Sequence, residues 1–137
     1  MTKITRVRGI WEKQARAALG EANRELAEAE EAVTTALDDH RKTVVATAAT
    51  PPGLDNLMMR RIAGIATHER YTAAELVRGH AEARSRAAHG SWRRSAQDLE
   101  VANKLDDRRK QALAYLARRS AEASLDELMA LRRERRR

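Results

Sequence analysis

Proline is confined to one place in this chain: Pro51 and Pro52 stand together in "ATPPGLDN", with Gly53 directly after them. Proline deletes a backbone donor and biases the preceding residue away from helix, and glycine completes the turn. On either side of this breaker the apolar residues recur at steps of three and four, the period of one helix face. A single corner between two long periodic segments leaves few solutions. The spacing predicts helix 1 over about residues 4–47, a corner over about 48–53, helix 2 over about 54–131 and a basic tail over about 132–137.

In the first segment the stripe runs Trp11, Ala15, Leu19, Ala22, Leu26, Ala29, Val33, Leu37, His40 and Val44. In the second it takes Leu57, Met58, Ile62, Ile65, Tyr71, Leu76, Ala83, Ala87, Trp92, Leu99, Ala102 and Leu105, continuing to Leu113, Leu116, Leu128 and Leu131. Only 3% of the residues are aromatic, none is Phe, and 34% are charged, so the chain has material for a narrow seam and none for a broad core. Gly64, Gly79 and Gly90 each weaken helix 2 by ~1 kcal/mol relative to alanine without forcing a break. "SLDE" at Ser124–Glu127 fits a capping box, which leaves a restart there as one reading and an uninterrupted helix as the other. The fold class that follows is all-α: a single elongated domain, a long two-helix antiparallel coiled-coil hairpin with a protruding C-terminal helical arm. Pairing about a tight corner sets residue i beside residue about 104 minus i, so everything after about Val101 has no partner within the chain and forms an arm ~50 Å long.

The chemistry-bearing residue types are scattered. His40, His68, His80 and His89 lack metal-ligand spacing, and His40 falls on the apolar stripe. No glycine-rich phosphate loop is present, and the carboxylates of Glu21–Glu31 lie on an alanine-rich helix with no pocket to raise a pKa. The expectation is a non-enzymatic protein without cofactor or metal. No cysteine occurs, and no apolar run approaches the ~18 residues of a membrane span, which points to a cytoplasmic protein. Net charge is +7, and residues 101–137 carry eleven basic against six acidic side chains, so the excess lies in the last third. Arginine there would hold phosphate non-specifically, but acidic residues alternate with it and no aromatic residues are interleaved for base stacking. Specific nucleic-acid binding is therefore not expected.

From Ser91 to Arg133 the stretch "SWRRSAQDLEVANKLDDRRKQALAYLARRSAEASLDELMALRR" resembles the C-terminal helix of FliJ, the coiled-coil component of the bacterial flagellar export apparatus. The matching landmarks are Trp92–Arg93, Leu99, Leu105 with Asp107–Arg108, and Asp126–Glu127 between Leu125 and Leu128, spaced without gaps. The proline-rich corner, the alanine-rich first helix and the terminal arginine cluster depart from that family. The resemblance implies a stalk and assembly factor of type III protein export. Such a protein would bind the export ATPase ring and its regulator, the cytoplasmic domain of the export gate, and export chaperones. It would sit in the cytoplasm, reaching the inner face of the cell membrane at the flagellar base only through those partners. The stalk protein of virulence-type secretion is the alternative within this class, and a generic coiled-coil scaffold the alternative outside it. The partner-binding residues expected on the uncovered arm are Leu125, Asp126, Glu127, Leu128, Leu131, Arg132 and Arg133.

Overall fold

The structure is a computed structural model that describes residues 2–49, 51 and 53–134, with the side chains of Leu131, Arg133 and Glu134 left aside. Two helices account for nearly all of it: α1, Lys3–Ala48, and α2, Leu54–Glu134. They pack against each other as an all-α helical hairpin, with no strand among the described residues. Two compact units are distinguished: Met1–Glu12 with Ser95–Arg137, and Lys13–Arg94.

α2 runs unbroken through Gly64, Gly79, Gly90 and Ser124. The Ser124 hydroxyl donates back to Ser120 O at 3.0 Å, so it bonds the preceding turn instead of capping a new helix. At the corner, Leu57 N donates to Gly53 O at 2.9 Å, the first bond of α2, and Asp55 places negative charge in its first turn, where the helix dipole favours it.

The corner is not tight, and this moves the register. Pro51 O accepts from Asn56 Nδ2 at 3.2 Å and from Arg60 Nη2 at 3.5 Å, so Pro51 lies alongside the first two turns of α2. Cross-helix partners consequently have residue numbers adding to between 107 and 109 in the unit Lys13–Arg94: Asn23 with Ser85, Glu25 with Arg84, and His40 with Thr67 and His68. This is about one helical turn beyond the register expected from a tight corner. Residues 54–59 are left without a partner at the level of α1, and Leu57 and Met58, expected in the seam, are instead exposed.

The seam itself is made of small and polar residues. On α1 the sheltered positions are Thr5, Arg8, Glu12, Ala15, Leu19, Ala22, Leu26, Ala29, Val33, Ala36, His40, Thr43 and Thr47. On α2 they are Arg60, Gly64, Thr67, Tyr71, Ala74, Arg78, Ala81, Ser85, Ala88, Trp92, Ser95, Leu99, Ala102 and Asp106. Both sets keep an unbroken three-four alternation, the heptad repeat of a coiled coil. Within them the only buried apolar side chains among the described residues are Ala22, Ala29 and Ala81. The large apolar residues lie outside: Trp11, Val44, Ile62, Ile65 and Leu76, expected in the stripe, are all about half-exposed or more.

Polar seam groups are matched locally. His40 Nδ1 lies 2.9 Å from Thr67 Oγ1, whose own proton is directed at the carbonyls of Ala63 (3.0 Å) and Gly64 (3.2 Å). Glu75 accepts from Tyr71 Oη at 3.3 Å and from Arg78 Nε at 2.9 Å, and this bond together with its charge raises the Arg78 pKa further.

Two kinds of substitution test this packing. A Cβ added at Gly20 or Gly79 meets nothing within 4 Å, so Gly20→Ala and Gly79→Ala should each raise unfolding free energy by ~0.5–1 kcal/mol. Ala81 is 1% exposed, and Ala81→Leu should lower it by about 1–3 kcal/mol through overpacking. Urea denaturation followed by circular dichroism measures both.

Candidate functional site

The unit of residues 1–12 and 95–137 fixes where the covered part of α2 ends. Thr2 Oγ1 accepts from Thr5 N at 3.3 Å, the bond of an N-cap to the third helical residue, and so starts α1. Thr2 N in turn donates to Asp106 Oδ2 at 3.1 Å. Asp106 thus sets a carboxylate from α2 against the amino end of α1, where the helix dipole is positive. It is 8% exposed, and Thr5 beside it is 2% exposed. Below this clasp, Arg8 pairs with Asp98 at 2.5 Å while its guanidinium stacks 4.9 Å from the Trp11 ring centroid. Gly9 faces Leu99, where an added Cβ would come within 4.0 Å of Cδ1.

The clasp moves the start of the arm. Contacts with α1 reach Asp106, not about Val101, because the register is displaced by the same turn here as at the corner. From Asp107 to Ala130 every residue is exposed, and the helical run from Asp107 to Glu134 is about 40 Å long.

The arm presents two faces. Leu125, Leu128, Met129 and Arg132 fall at i, i+3, i+4 and i+7 and share one side of the helix. The three apolar members are 61%, 60% and 55% exposed, too open for any packing within the chain. Asp126 flanks this side. Glu127 does not belong to it: two residues from Leu125, it lies nearly opposite, on the face that also carries Leu113, Leu116, Ser120 and Ala123. Of the expected partner-binding set, the helix therefore gathers Leu125, Leu128 and Arg132 and separates Glu127 from them, and Met129 joins them. The side chains of Leu131 and Arg133 lie outside the described residues.

A second exposed apolar set belongs to the unit Lys13–Arg94. Val44 and Val45 at the end of α1, and Leu54, Leu57, Met58 and Met59 at the start of α2, are all 50–78% exposed. Exposed apolar patches of this kind mark contact surfaces. Their concentration around the corner was hidden in the sequence, because hydrophobicity alone assigned Leu57 and Met58 to the seam.

Among the described residues no group of three or more His, Asp or Glu side chains converges to hold a metal, and no helix is long and apolar enough to cross a membrane. His68, His80 and His89 are exposed, His89 lying 5.7 Å from the Trp92 ring. Along α2, Lys104 holds the Glu100 carboxyl below the usual carboxylate range by hydrogen bond and charge, a surface pair at 2.6 Å. Compared with known proteins, the chain matches no family model, no curated protein and no solved structure.

The clasp is testable apart from the arm. Asp106→Ala should cost about 1–2 kcal/mol of stability, and Asp106→Asn, which keeps an acceptor, less. Hydrogen exchange should accelerate at the amides of residues 3–8 and stay unchanged beyond residue 115.

Proposed function

We propose that the chain is a non-enzymatic stalk and assembly factor of flagellar type III protein export. The observation that carries this reading is the uncovered arm, where Leu125, Leu128 and Met129 stay open to solvent on one helix face. A helix that leaves such a face uncovered has it available for a second protein surface. The resemblance of residues 91–133 to the FliJ C-terminal helix names that surface: the export ATPase ring, with its regulator. The apolar set around Leu54, Leu57 and Met58 is the surface we assign to the cytoplasmic domain of the export gate. Export chaperones would be handed on by the same assembly. The protein then works in the cytoplasm, held at the inner face of the cell membrane through its partners.

Charge and shape contribute differently. Arg132 and the basic residues after it favour approach to an acidic surface and suit a helix C-terminus, while the leucines supply the contact that excludes water. Loss of the two leucines should therefore matter more than loss of two terminal arginines.

In a pull-down with the export ATPase, Leu125→Ala with Leu128→Ala should cut retention by roughly tenfold or more, because two large apolar side chains no longer bury surface against the partner. Removal of residues 120–137 should abolish stimulation of ATP hydrolysis and leave helicity in the remaining chain intact. Equal stimulation by the shortened protein would remove the arm from the mechanism. If the arginine change dominates, and binding falls with added salt, electrostatics is the main contact.

A further inference from the structure

The seam occupies one side of α2, and the opposite side repeats its rhythm within the unit Lys13–Arg94. Met58, Ile62, Ile65, Glu69, Thr72 and Leu76 each stand two residues before a seam position, ~200° around the helix and away from α1. Gly79 and Ala83 continue the same three-four step, the heptad pattern of a second seam. All eight positions are exposed, and the four large apolar ones among them are 49–64% open. The face is graded: large apolar residues stand at its beginning, glycine and alanine at its end.

We propose that this face pairs antiparallel with the same face of a second copy of the chain, about a twofold axis between Arg70 and Tyr71. In that register Ile65 of one copy meets Leu76 of the other. Farther out, Ile62 meets Gly79 and Met58 meets Ala83, so each large side chain faces a small one. Along one edge Arg61 falls opposite Glu82, and His68 opposite Glu75; symmetry makes each contact twice. Glu82 is paired with Arg86 of its own helix, and Arg61 is exposed. At either end Asp55 falls opposite Arg86. A shift of one heptad fails in both directions: one sets Ile65 against Glu69, the other Glu75 against Glu75. Parallel order sets Glu69 against Glu69, and like charges disfavour it. The approach is open, because α1 lies on the far side of α2 in each copy. Pro51 bonds toward Asn56 and Arg60, also on the α1 side. The second copy's residues 88–94 therefore pass the corner on the side away from α1.

Glu69 opposite Thr72 is the polar layer nearest the axis. A polar residue within an apolar seam fixes register at a cost in stability, so the dimer is reversible. Its consequence concerns the corner. The surface assigned above to the export gate overlaps this face at Leu54 and Met58, whereas Leu57 lies ~100° around the helix from Met58 and stays open. Pairing and gate binding therefore compete, and the free chain keeps its apolar outer face covered until a partner takes it. The pairing does not rest on the export reading, since Leu125, Leu128 and Met129 take no part in it.

Sedimentation of the full chain across roughly 10–500 µM tests the pairing with no other protein present. The mass should rise from 15.4 kDa toward twice that value. Arg61→Glu and Glu82→Arg should each weaken association by roughly tenfold or more, because each sets like charges against one another twice. An equimolar mixture of the two variants should associate again, since every Arg61–Glu82 contact then joins opposite charges. Glu69→Leu should strengthen the dimer. Circular dichroism should show the helicity of all three variants unchanged, since none of these side chains is buried. A wild-type chain that stays monomeric throughout overturns the proposal. So do charge variants that associate like the wild type, a mixture no tighter than its components, and a Glu69→Leu chain no tighter than the wild type, each of which would place the contact elsewhere.

Discussion

Close approach between α1 and α2 is the condition on which the other features rest. Ala22, Ala29 and Ala81 are buried because the helices meet through methyl groups, and Thr5, Ser85 and Gly64 stand at equivalent positions. An alanine methyl contributes less than about 1 kcal/mol on burial, against about 1.5–3 for a leucine. A seam of this kind holds through its length and through satisfied polar contacts, not through a few large side chains. His40 on Thr67, Arg78 on Glu75 and Ser85 on Asn23 (2.7 Å) keep polar groups from being buried without partners. The same narrowness excludes bulky residues, so isoleucine, leucine and methionine are displaced to the outer faces, where they are free to meet other molecules.

This displacement explains what the sequence made visible and what it concealed. Pro51–Pro52–Gly53 is a local signal with one physical reading, and it located both helix ends to within a few residues. The α1 stripe from Ala15 to His40 was also legible, because there apolar character and burial coincide. They part company at Trp11 and Val44, and along most of α2. Ile62, Ile65, Leu76 and Leu105 outrank their neighbours in hydrophobicity, yet Gly64, Thr67, Ala74 and Asp106 are the sheltered residues. Periodicity weighted by size follows the wrong face when the interface selects for smallness. The signal that finds the right one is the unbroken three-four step from Arg60 to Asp106 through residues that allow close approach.

The displaced register had a different origin. A corner read as a tight turn places its centre midway between the helices, whereas Pro51 lies along the first turns of α2, and the partners in the unit Lys13–Arg94 are shifted by about one turn. The shift is small, but it decides the role of Asp106. In the tighter register this residue is one more charge on a solvated arm; in the structure it accepts from Thr2 N and closes the paired region. Of the expected contact residues, Leu125, Leu128 and Arg132 lie together because their spacing is helical. Glu127 lies apart for the same reason, although it is adjacent to Leu128 in sequence.

An arm this long requires an explanation for its own order. Starting a helix costs about 4 kcal/mol before propagation begins to repay it. The arm does not start a helix. It propagates one that α1 has already stabilised up to Asp106, so only the near-neutral propagation terms remain. Lys110 with Asp107 at 3.3 Å adds a small i,i+3 contribution at its root. The clasp at Asp106 therefore acts beyond the residues it touches. It holds the last turn of paired helix from which the exposed turns extend, and both faces of the arm depend on that turn for their spacing.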